Sequence, residues 1–151
     1  MEFAATLFAA LPGDSVAQNG ANSTVGQYIV QIARARGIRT ISIVRNQTAA
    51  DQVRRLGGDV VVIDGPDVLG EVRAATKNAS VRLAIDCVSG EASASLADIL
   101  AERGTLVVYG GLNGQPVQVR VLQFIATDIA VRGFWVTRWL LQTPHEEVQK
   151  L

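Results

Sequence analysis

The sequence predicts an α/β fold in which helices cover both faces of a doubly wound parallel β-sheet. Short runs rich in apolar and β-branched residues alternate with helical patterns along most of the 151 residues. The runs are almost continuously apolar, which is typical of strands buried on both faces of a parallel sheet. Because parallel strands need crossover connections, this alternation indicates a Rossmann-type domain.

Five strands and four helices account for the first part of the pattern. The strands are expected at 16–18, 40–44, 60–63, 83–88 and 106–109, and the helices at 25–36, 48–56, 68–76 and 91–102. Arg103 and Gly104 are expected to end the last of these helices. One domain is expected over 12–151, because the chain is too short for two ordinary domains and 48% of it is hydrophobic.

The alternation changes after Gly111. Residues 112–116 are turn-rich, 117–121 form a short apolar piece, 122–128 are expected to be helical, and 130–137 to be one more strand. That strand carries Phe134 and Trp135, for which two interpretations are open. They belong to the core, where large aromatic residues usually lie, or they line a ligand pocket at the strand end.

The turn between the first strand and the first helix is the main indication of a ligand. Residues 16–26 read V-A-Q-N-G-A-N-S-T-V-G, and a helix that begins there presents unpaired N–H groups and its positive dipole end to an anion. In the dinucleotide pattern G-x-G-x-x-G, Ala21 and Ser23 replace two glycines and Gly26 keeps the third. Ala21 fits such a turn if its φ is negative. The pattern indicates a pyrophosphate site, the alternative being a turn without a ligand.

Arg45 lies 19 positions after Gly26, at the end of the second strand. A dinucleotide fold places the residue that recognises the adenosine ribose at about this distance. An acidic residue there binds the ribose of NAD, whereas a guanidinium is suited to the 2′-phosphate of NADP. The sequence therefore predicts NADP as the cofactor, the alternative being that Arg45 is a solvated arginine at a strand end.

Charge and hydropathy exclude two classes of partner. The 14 basic and 14 acidic residues balance, so the sequence has no overall basic character for binding nucleic acid or an anionic membrane. No apolar run is long enough for a membrane span, and the apolar residues 3–11 lack the basic segment that begins a secretory signal. We expect neither nucleic acid nor membrane as a partner.

The single cysteine and the single histidine are not expected to act chemically. Cys87 has no disulfide partner and no metal-spaced neighbour, which favours a reducing compartment and a small buried residue over a reactive thiol. His145 lies among polar residues near the C-terminus, where an exposed side chain is the simplest interpretation. The sequence predicts no metal site and no catalytic residue.

Four segments carry a more specific pattern: P-G-D-S-V-A-Q-N-G-A-N-S-T-V-G-Q at 12–27, I-V-R at 43–45, Y-G-G at 109–111 followed by Q-P-V, and R-G-F-W-V-T-R-W at 132–139. Together they resemble the cofactor domain of trans-2-enoyl-CoA reductases of the mitochondrial type. These belong to the zinc-free, quinone-oxidoreductase-like branch of the medium-chain dehydrogenase/reductase superfamily. The A-N-S-x-V-G turn and the R-G-F-W strand are the most discriminating parts.

The resemblance implies a set of cofactor contacts. The pyrophosphate would be held by Asn22, Ser23, Thr24 and Val25, next to Gly26. The 2′-phosphate would be held by Arg45, with Asn46 and Gln47 after it. The family often has a second arginine at the position of Gln47, so one cationic contact is missing here. The nicotinamide would be flanked by Tyr109, Gly110, Gly111, Leu112, Phe134, Trp135 and Val136.

The resemblance also implies a reaction, hydride transfer from NADPH to the β-carbon of a trans-2-enoyl thioester. Family members donate the accompanying proton from a tyrosine in a separate catalytic domain, which is expected to be absent here. Residues 1–11 are interpreted as a truncated remnant of the preceding segment, and the isolated chain is expected to be inactive. The implied compartment is the cytoplasm for a bacterial chain and the mitochondrion for a eukaryotic one.

Two other functions stay open. One is the cofactor domain of a zinc-independent quinone or alkenal reductase. The other is a non-enzymatic NADP-binding module whose cofactor changes its association with a partner. Neither the turn nor Arg45 separates these functions from the enoyl reductase, because all three need the same cofactor site.

The strand at 130–137 is expected to be an edge of the sheet. It is long, apolar and free of proline, and such an edge pairs with another chain unless it is protected. The resembled superfamily joins two cofactor domains into one continuous sheet in this region. We therefore expect a two-fold homodimer with antiparallel pairing near 131–134 and with 117–121 close by.

Overall fold

Six parallel strands form one sheet in the computed structural model, which describes residues 13–148. The strands are β1 (Ser15–Asn19), β2 (Arg39–Val44), β3 (Val60–Ile63), β4 (Leu83–Asp86), β5 (Thr105–Val108) and β6 (Ala130–Gly133). Their order across the sheet is β3-β2-β1-β4-β5-β6, and all neighbours are parallel. The predicted doubly wound α/β fold is confirmed.

Seven helices connect or follow these strands in the described part of the chain. They are α1 (Thr24–Ala35), α2 (Gln47–Arg55), α3 (Val68–Thr76), α4 (Glu91–Ile99), α5 (Val121–Ala126), α6 (Val136–Gln142) and α7 (His145–Val148). The first four occupy the crossover positions that parallel pairing requires.

Successive side chains of the central strands point to opposite faces of the sheet and belong to different core clusters. Val16 of β1 packs in one cluster with Ile29 of α1, whereas the next residue, Ala17, packs in another with Val72 of α3 and Leu96 of α4. This alternation is the period of two that a strand imposes on its side chains. Both faces are therefore buried, and the ligand-binding positions are left at the strand ends.

The end predicted for the helix at 91–102 is wrong. The helix stops at Ile99, because Leu100 takes an extended backbone (φ −65°, ψ 138°). The N–H of Arg103 donates instead to the carbonyl of Thr127, at 2.8 Å. Arg103 has a left-handed φ of 59°, so it belongs to the turn before β5 and not to a helix end.

Two predicted strands are shorter than expected. The strand at 83–88 stops at Asp86, because that side chain draws the following N–H groups into a turn. The strand at 130–137 stops at Gly133, and Trp135 already precedes the first turn of α6. The edge strand β6 therefore has 4 residues. Of the apolar piece at 117–121, Val117 alone pairs, through an isolated bridge to Gly90.

Two expectations concern the chain beyond the sheet. No helix within residues 13–148 is long and apolar enough to cross a membrane. Residues 1–11, interpreted above as a remnant of a preceding segment, lie outside the described residues.

Candidate functional site

A cleft of about 410 Å³ opens at the carboxyl ends of the strands. It lies where the strand order reverses, between β1 and β4, and doubly wound sheets bind their ligands at this point. The turns after β1, β2, β3 and β4 and the segment after β5 contribute to its walls. The lining residues are Asn19, Gly20, Asn22, Ser23, Ile43, Val44, Arg45, Asp64, Val88, Ala92, Leu112 and Asn113.

The turn after β1 presents backbone donors to this cleft. Ser23 caps α1, and its Oγ accepts a hydrogen bond from the N–H of Gly26 at 3.2 Å. The first backbone bond of the helix runs from the N–H of Gln27 to the carbonyl of Ser23. The N–H groups of Thr24 and Val25 therefore precede the helical ladder and have no partner within it. Such groups, with the positive end of the helix dipole, stabilise an anion.

Gly26 and Gly20 are both needed for the shape of the turn. A Cβ on Gly26 would lie 2.6 Å from the Cα and 2.7 Å from the carbonyl oxygen of Ala21, so the helix contacts the backbone of the turn. Gly20 takes the left-handed φ of 55°, whereas Ala21 is not among the residues with positive φ, as its side chain requires. The close approach of helix and strand therefore depends on Gly26.

Arg45, Asn46 and Gln47 differ in what their side chains already bind. The Oδ1 atom of Asn46 caps α2 by accepting the N–H of Ala49 at 2.9 Å, and Gln47 donates to Asp51 at 2.6 Å. Arg45 lines the cleft and is exposed, and among the described residues it forms no ion pair. Of these three side chains, the Arg45 guanidinium is therefore the one that is available to a ligand.

Tyr109 directly follows β5, and its side chain is half-buried. The thiol of Cys87 donates to the carbonyl of Asn19 at 3.7 Å. Burial raises the pKa of Tyr109 well above its usual value, the interaction with the Cys87 side chain raises it further, and the interaction with the Ser23 side chain lowers it. Burial also raises the pKa of Cys87. Both groups are therefore neutral at physiological pH, and Cys87 is the buried residue at a strand end that the sequence predicted.

The predicted nicotinamide residues lie at different depths. Leu112 lines the cleft and is 75% exposed, and the carbonyl of Gly110 accepts a hydrogen bond from Ser89. Phe134 is half-buried and packs with Tyr109 against the same core cluster.

Trp135 does not belong to the core. The side chain is 62% exposed, with the guanidinium of Arg138 lying 5.5 Å from the ring centroid, and it does not line the cleft. The core interpretation is therefore wrong for Trp135, because the chain turns into α6 immediately after it. Val136 starts that helix and is 52% exposed.

Sequence reasoning missed three polar residues of the cleft. Asn19 is the last residue of β1, Asp64 directly follows β3, and Asn113 follows Leu112 in the segment after β5. The first two share a signal with Arg45, since each is a polar residue where an apolar strand ends. Because the carboxyl ends of parallel strands meet at one edge of a sheet, this position alone predicts proximity to the ligand.

A family model described as zinc-binding dehydrogenase matches residues 24–151. The chain belongs to this family. Among residues 13–148 of this family member, no group of three or more His, Cys, Asp or Glu side chains is arranged to hold a metal ion.

Similar proteins point to one branch of the zinc-binding dehydrogenase family. A mitochondrial enoyl acyl-carrier-protein reductase of Arabidopsis thaliana is 38% identical over 144 residues, which are 92% of this chain and 38% of the relative. The mitochondrial 2-enoyl thioester reductase Etr1p/Etr2p heterodimer of Candida tropicalis superposes with a TM-score of 0.83 at 26% identity. A complex of Etr1p with NADP and crotonyl-CoA gives 0.82 at 26% identity. The alignments with both structures cover 93% of this chain and 41% of the other.

The resemblance to mitochondrial-type enoyl reductases is confirmed by these relatives. The chain spans about two fifths of their length, 38% for the Arabidopsis protein and 41% for the solved structures.

Proposed function

We propose that this chain binds NADP(H) in the cleft between β1 and β4. The observation that carries the proposal is the position of Arg45, an exposed guanidinium without an ion pair in the described residues, in the same cleft as the amino end of α1. A dinucleotide needs an anion site for its pyrophosphate, and NADP needs a second one for its 2′-phosphate. The cleft offers both.

The residues divide between the two halves of the cofactor. Arg45 is assigned to the 2′-phosphate, with Asn46 and Gln47 shaping the loop around it. The pyrophosphate is assigned to Asn22, Ser23, Thr24 and Val25, with Gly26 allowing the close approach of α1. The nicotinamide half is assigned to Tyr109, Gly110, Gly111 and Leu112, and Phe134, Trp135 and Val136 are proposed to flank the ring from outside the cleft lining. The sheet order supports this division, because in a doubly wound sheet the strands on each side of the switch point bind one half of a dinucleotide.

The whole protein is proposed to be an enoyl-thioester reductase, of which residues 12–151 are the cofactor domain. When bound, NADPH supplies the hydride that reduces the carbon–carbon double bond of an enoyl thioester. The residues of this chain hold and orient the cofactor. Tyr28 lies in α1 and Tyr109 is assigned to the cofactor, so the proton donor and the thioester site are expected in a catalytic domain. A mitochondrial location is proposed for a eukaryotic protein and a cytoplasmic one for a bacterial protein.

Calorimetric titration of the 151-residue chain with NADPH, NADP⁺ and NADH tests the cofactor assignment. We expect NADPH and NADP⁺ to bind with similar affinity, because the contacts assigned to the 2′-phosphate are the same for both. NADH should bind more weakly. Equal affinities for NADH and NADPH would contradict the assignment of Arg45, and no binding of any of them would contradict the function.

The identity of the substrate is tested on the full-length protein that contains this chain. We expect NADPH-dependent reduction of crotonyl-CoA and little activity with quinones. The reverse preference would favour the quinone or alkenal reductase. NADPH binding with neither activity would favour the non-enzymatic module.

We also propose that the chain forms a two-fold homodimer through the exposed edge of β6. Val131, Arg132 and Gly133 are exposed along this strand, and the heterodimeric relative is an assembly of two chains. Residues 112–141, which include β6, carry most of the large exposed apolar side chains of the described region. In residues 112–141 they are Leu112, Val117, Val121, Leu122, Phe124, Ile125, Val131, Trp135, Val136, Leu140 and Leu141.

Val131→Arg is expected to convert the dimer to monomers. The substitution places a charge at the proposed strand pair, where two like charges would face each other across the two-fold axis. Light scattering after size-exclusion chromatography measures the change. Ile32→Arg makes the same kind of substitution on α1, where the side chain is 46% exposed, and should leave the dimer intact. A clean monomer of the unmodified chain at high micromolar concentration would contradict the dimer.

A further inference from the structure

A buried carboxylate lies directly behind the cleft, at the end of β4. Asp86 has no exposed surface, and its Oδ1 atom accepts hydrogen bonds from the Nδ2 of Asn19 (2.6 Å) and from the N–H groups of Val88 (2.8 Å) and Ser89 (3.0 Å). Its Oδ2 atom accepts a short hydrogen bond from the hydroxyl of Ser93. A carboxylate is costly to bury unless donors surround it, and here four donors do so.

The donors come from three separate segments. Asn19 ends β1, Val88 and Ser89 form the turn after β4, and Ser93 lies in α4. Asn19 makes a second contact across the same gap, because its Oδ1 accepts the N–H of Cys87 at 2.9 Å. Asp86 and Asn19 therefore join β1 and β4 at the switch point, where the two halves of the sheet meet.

The turn that Asp86 fixes is also hydrogen-bonded to the segment after β5. The hydroxyl of Ser89 donates to the carbonyl of Gly110 at 3.1 Å, and the carbonyl of Ser89 accepts from the Nδ2 of Asn113 at 2.8 Å. The N–H of Leu112 donates to the carbonyl of Cys87 at 3.0 Å. Within residues 13–148, the hydrogen bonds of Asp86 do not reach the turns after β2 and β3, which belong to the other half of the cleft.

We propose that Asp86 is a positioning residue for the nicotinamide half of the cofactor. It fixes the turn at 87–90 and, through that turn, the segment at 110–113 against the end of β1. The proposal rests on the cofactor function proposed above. It predicts that loss of the carboxylate loosens the nicotinamide half of the cleft and leaves the adenosine half in place.

The test compares NADPH with adenosine 2′,5′-bisphosphate, a fragment that lacks the nicotinamide half. In calorimetric titrations, Asp86→Asn should raise the Kd for NADPH about tenfold, because the cofactor must then order the loosened turn at 87–90 and the segment at 110–113 when it binds. The Kd for the fragment should change less than about twofold. Ser93→Ala removes one donor and leaves the carboxylate in place, and it should give a smaller shift in the same direction if Asp86→Asn fails to fold.

Asp59→Asn is the matched control. Asp59 accepts hydrogen bonds from the N–H and hydroxyl of Thr40, near the amino ends of β2 and β3. The Asp59→Asn substitution should therefore leave the Kd for NADPH and the Kd for the fragment unchanged. If Asp86→Asn raised the Kd for NADPH and the Kd for the fragment equally, Asp86 would contribute to stability alone, and the proposal would be overturned. A tight NADPH complex in both variants, Asp86→Asn and Ser93→Ala, would also overturn it. If the unmodified chain binds neither ligand, the cofactor function itself is wrong.

Discussion

Arg45→Ala is expected to weaken NADPH binding by about 1.5–3 kcal/mol, roughly tenfold to more than a hundredfold in Kd, while the affinity for NADH stays nearly unchanged. The reason is that Arg45 lines the cleft without an ion pair among the described residues, whereas the side chains of Asn46 and Gln47 are bonded to α2. A charge-assisted bond to a phosphate would thus be lost without a substitute. Calorimetry with both cofactors measures the difference.

Arg39→Ala provides the matched control for this substitution. Arg39 is an exposed arginine on the same strand, at its amino end and away from the cleft. Arg39→Ala should leave the affinities for NADPH and for NADH unchanged, since exposed arginines far from a ligand contribute little at ordinary ionic strength. Equal losses for NADPH and NADH in Arg45→Ala would place this side chain outside the 2′-phosphate site.

Gly26→Val is expected to lower the free energy of unfolding by about 1–3 kcal/mol and to weaken NADPH binding at the same time. The added Cβ would lie 2.6–2.8 Å from backbone atoms of Ala21, which cannot rotate away as a side chain does. The helix α1 must therefore move off the turn and carry its amino end away from the pyrophosphate site. Denaturant unfolding and calorimetry measure the two effects.

Gly65→Val serves as a control, because a Cβ there meets a single atom within 4 Å, the carbonyl oxygen of Ile63 at 3.9 Å. It should change neither NADPH affinity nor stability by a comparable amount. A Gly26→Val chain that keeps both its melting temperature and its cofactor affinity would mean that the turn has been misinterpreted.

The central part of the fold is predictable from the sequence because local pattern and burial agree there. The run at 60–63 is apolar throughout and forms β3 at those residues, and the pattern at 68–76 forms α3 with the same bounds. The errors lie where long-range bonds end an element. Leu100 leaves the helix although its local sequence favours continuation, and the N–H of Ala101 pairs with the carbonyl of Val81. The sequence pattern around Leu100 cannot reveal a hydrogen-bond partner as distant along the chain as Val81.

The site follows the same division between local and long-range information. The turn at 20–26 and Arg45 are found from spacing alone, since the distance between strand ends is fixed by the crossover helix. The contacts of Asp86 with Asn19 join residues 67 positions apart, and spacing within one crossover cannot reveal them. The exposure of Trp135 was missed for a related reason, because an aromatic residue after a strand is usually core and the start of α6 has no capping side chain to signal it.

Mapping NADPH binding on the isotope-labelled chain by NMR tests the proposed cofactor site most directly. If the cofactor spans the switch point, the backbone amide resonances of 19–26, 45–47, 87–90 and 109–113 should shift on titration. The amides at the amino ends of the strands, such as 57–59 and 101–104, should not. Shifts confined to the amino ends, or shifts around Arg45 with none at 87–90 and 109–113, would contradict a dinucleotide bound across β1 and β4.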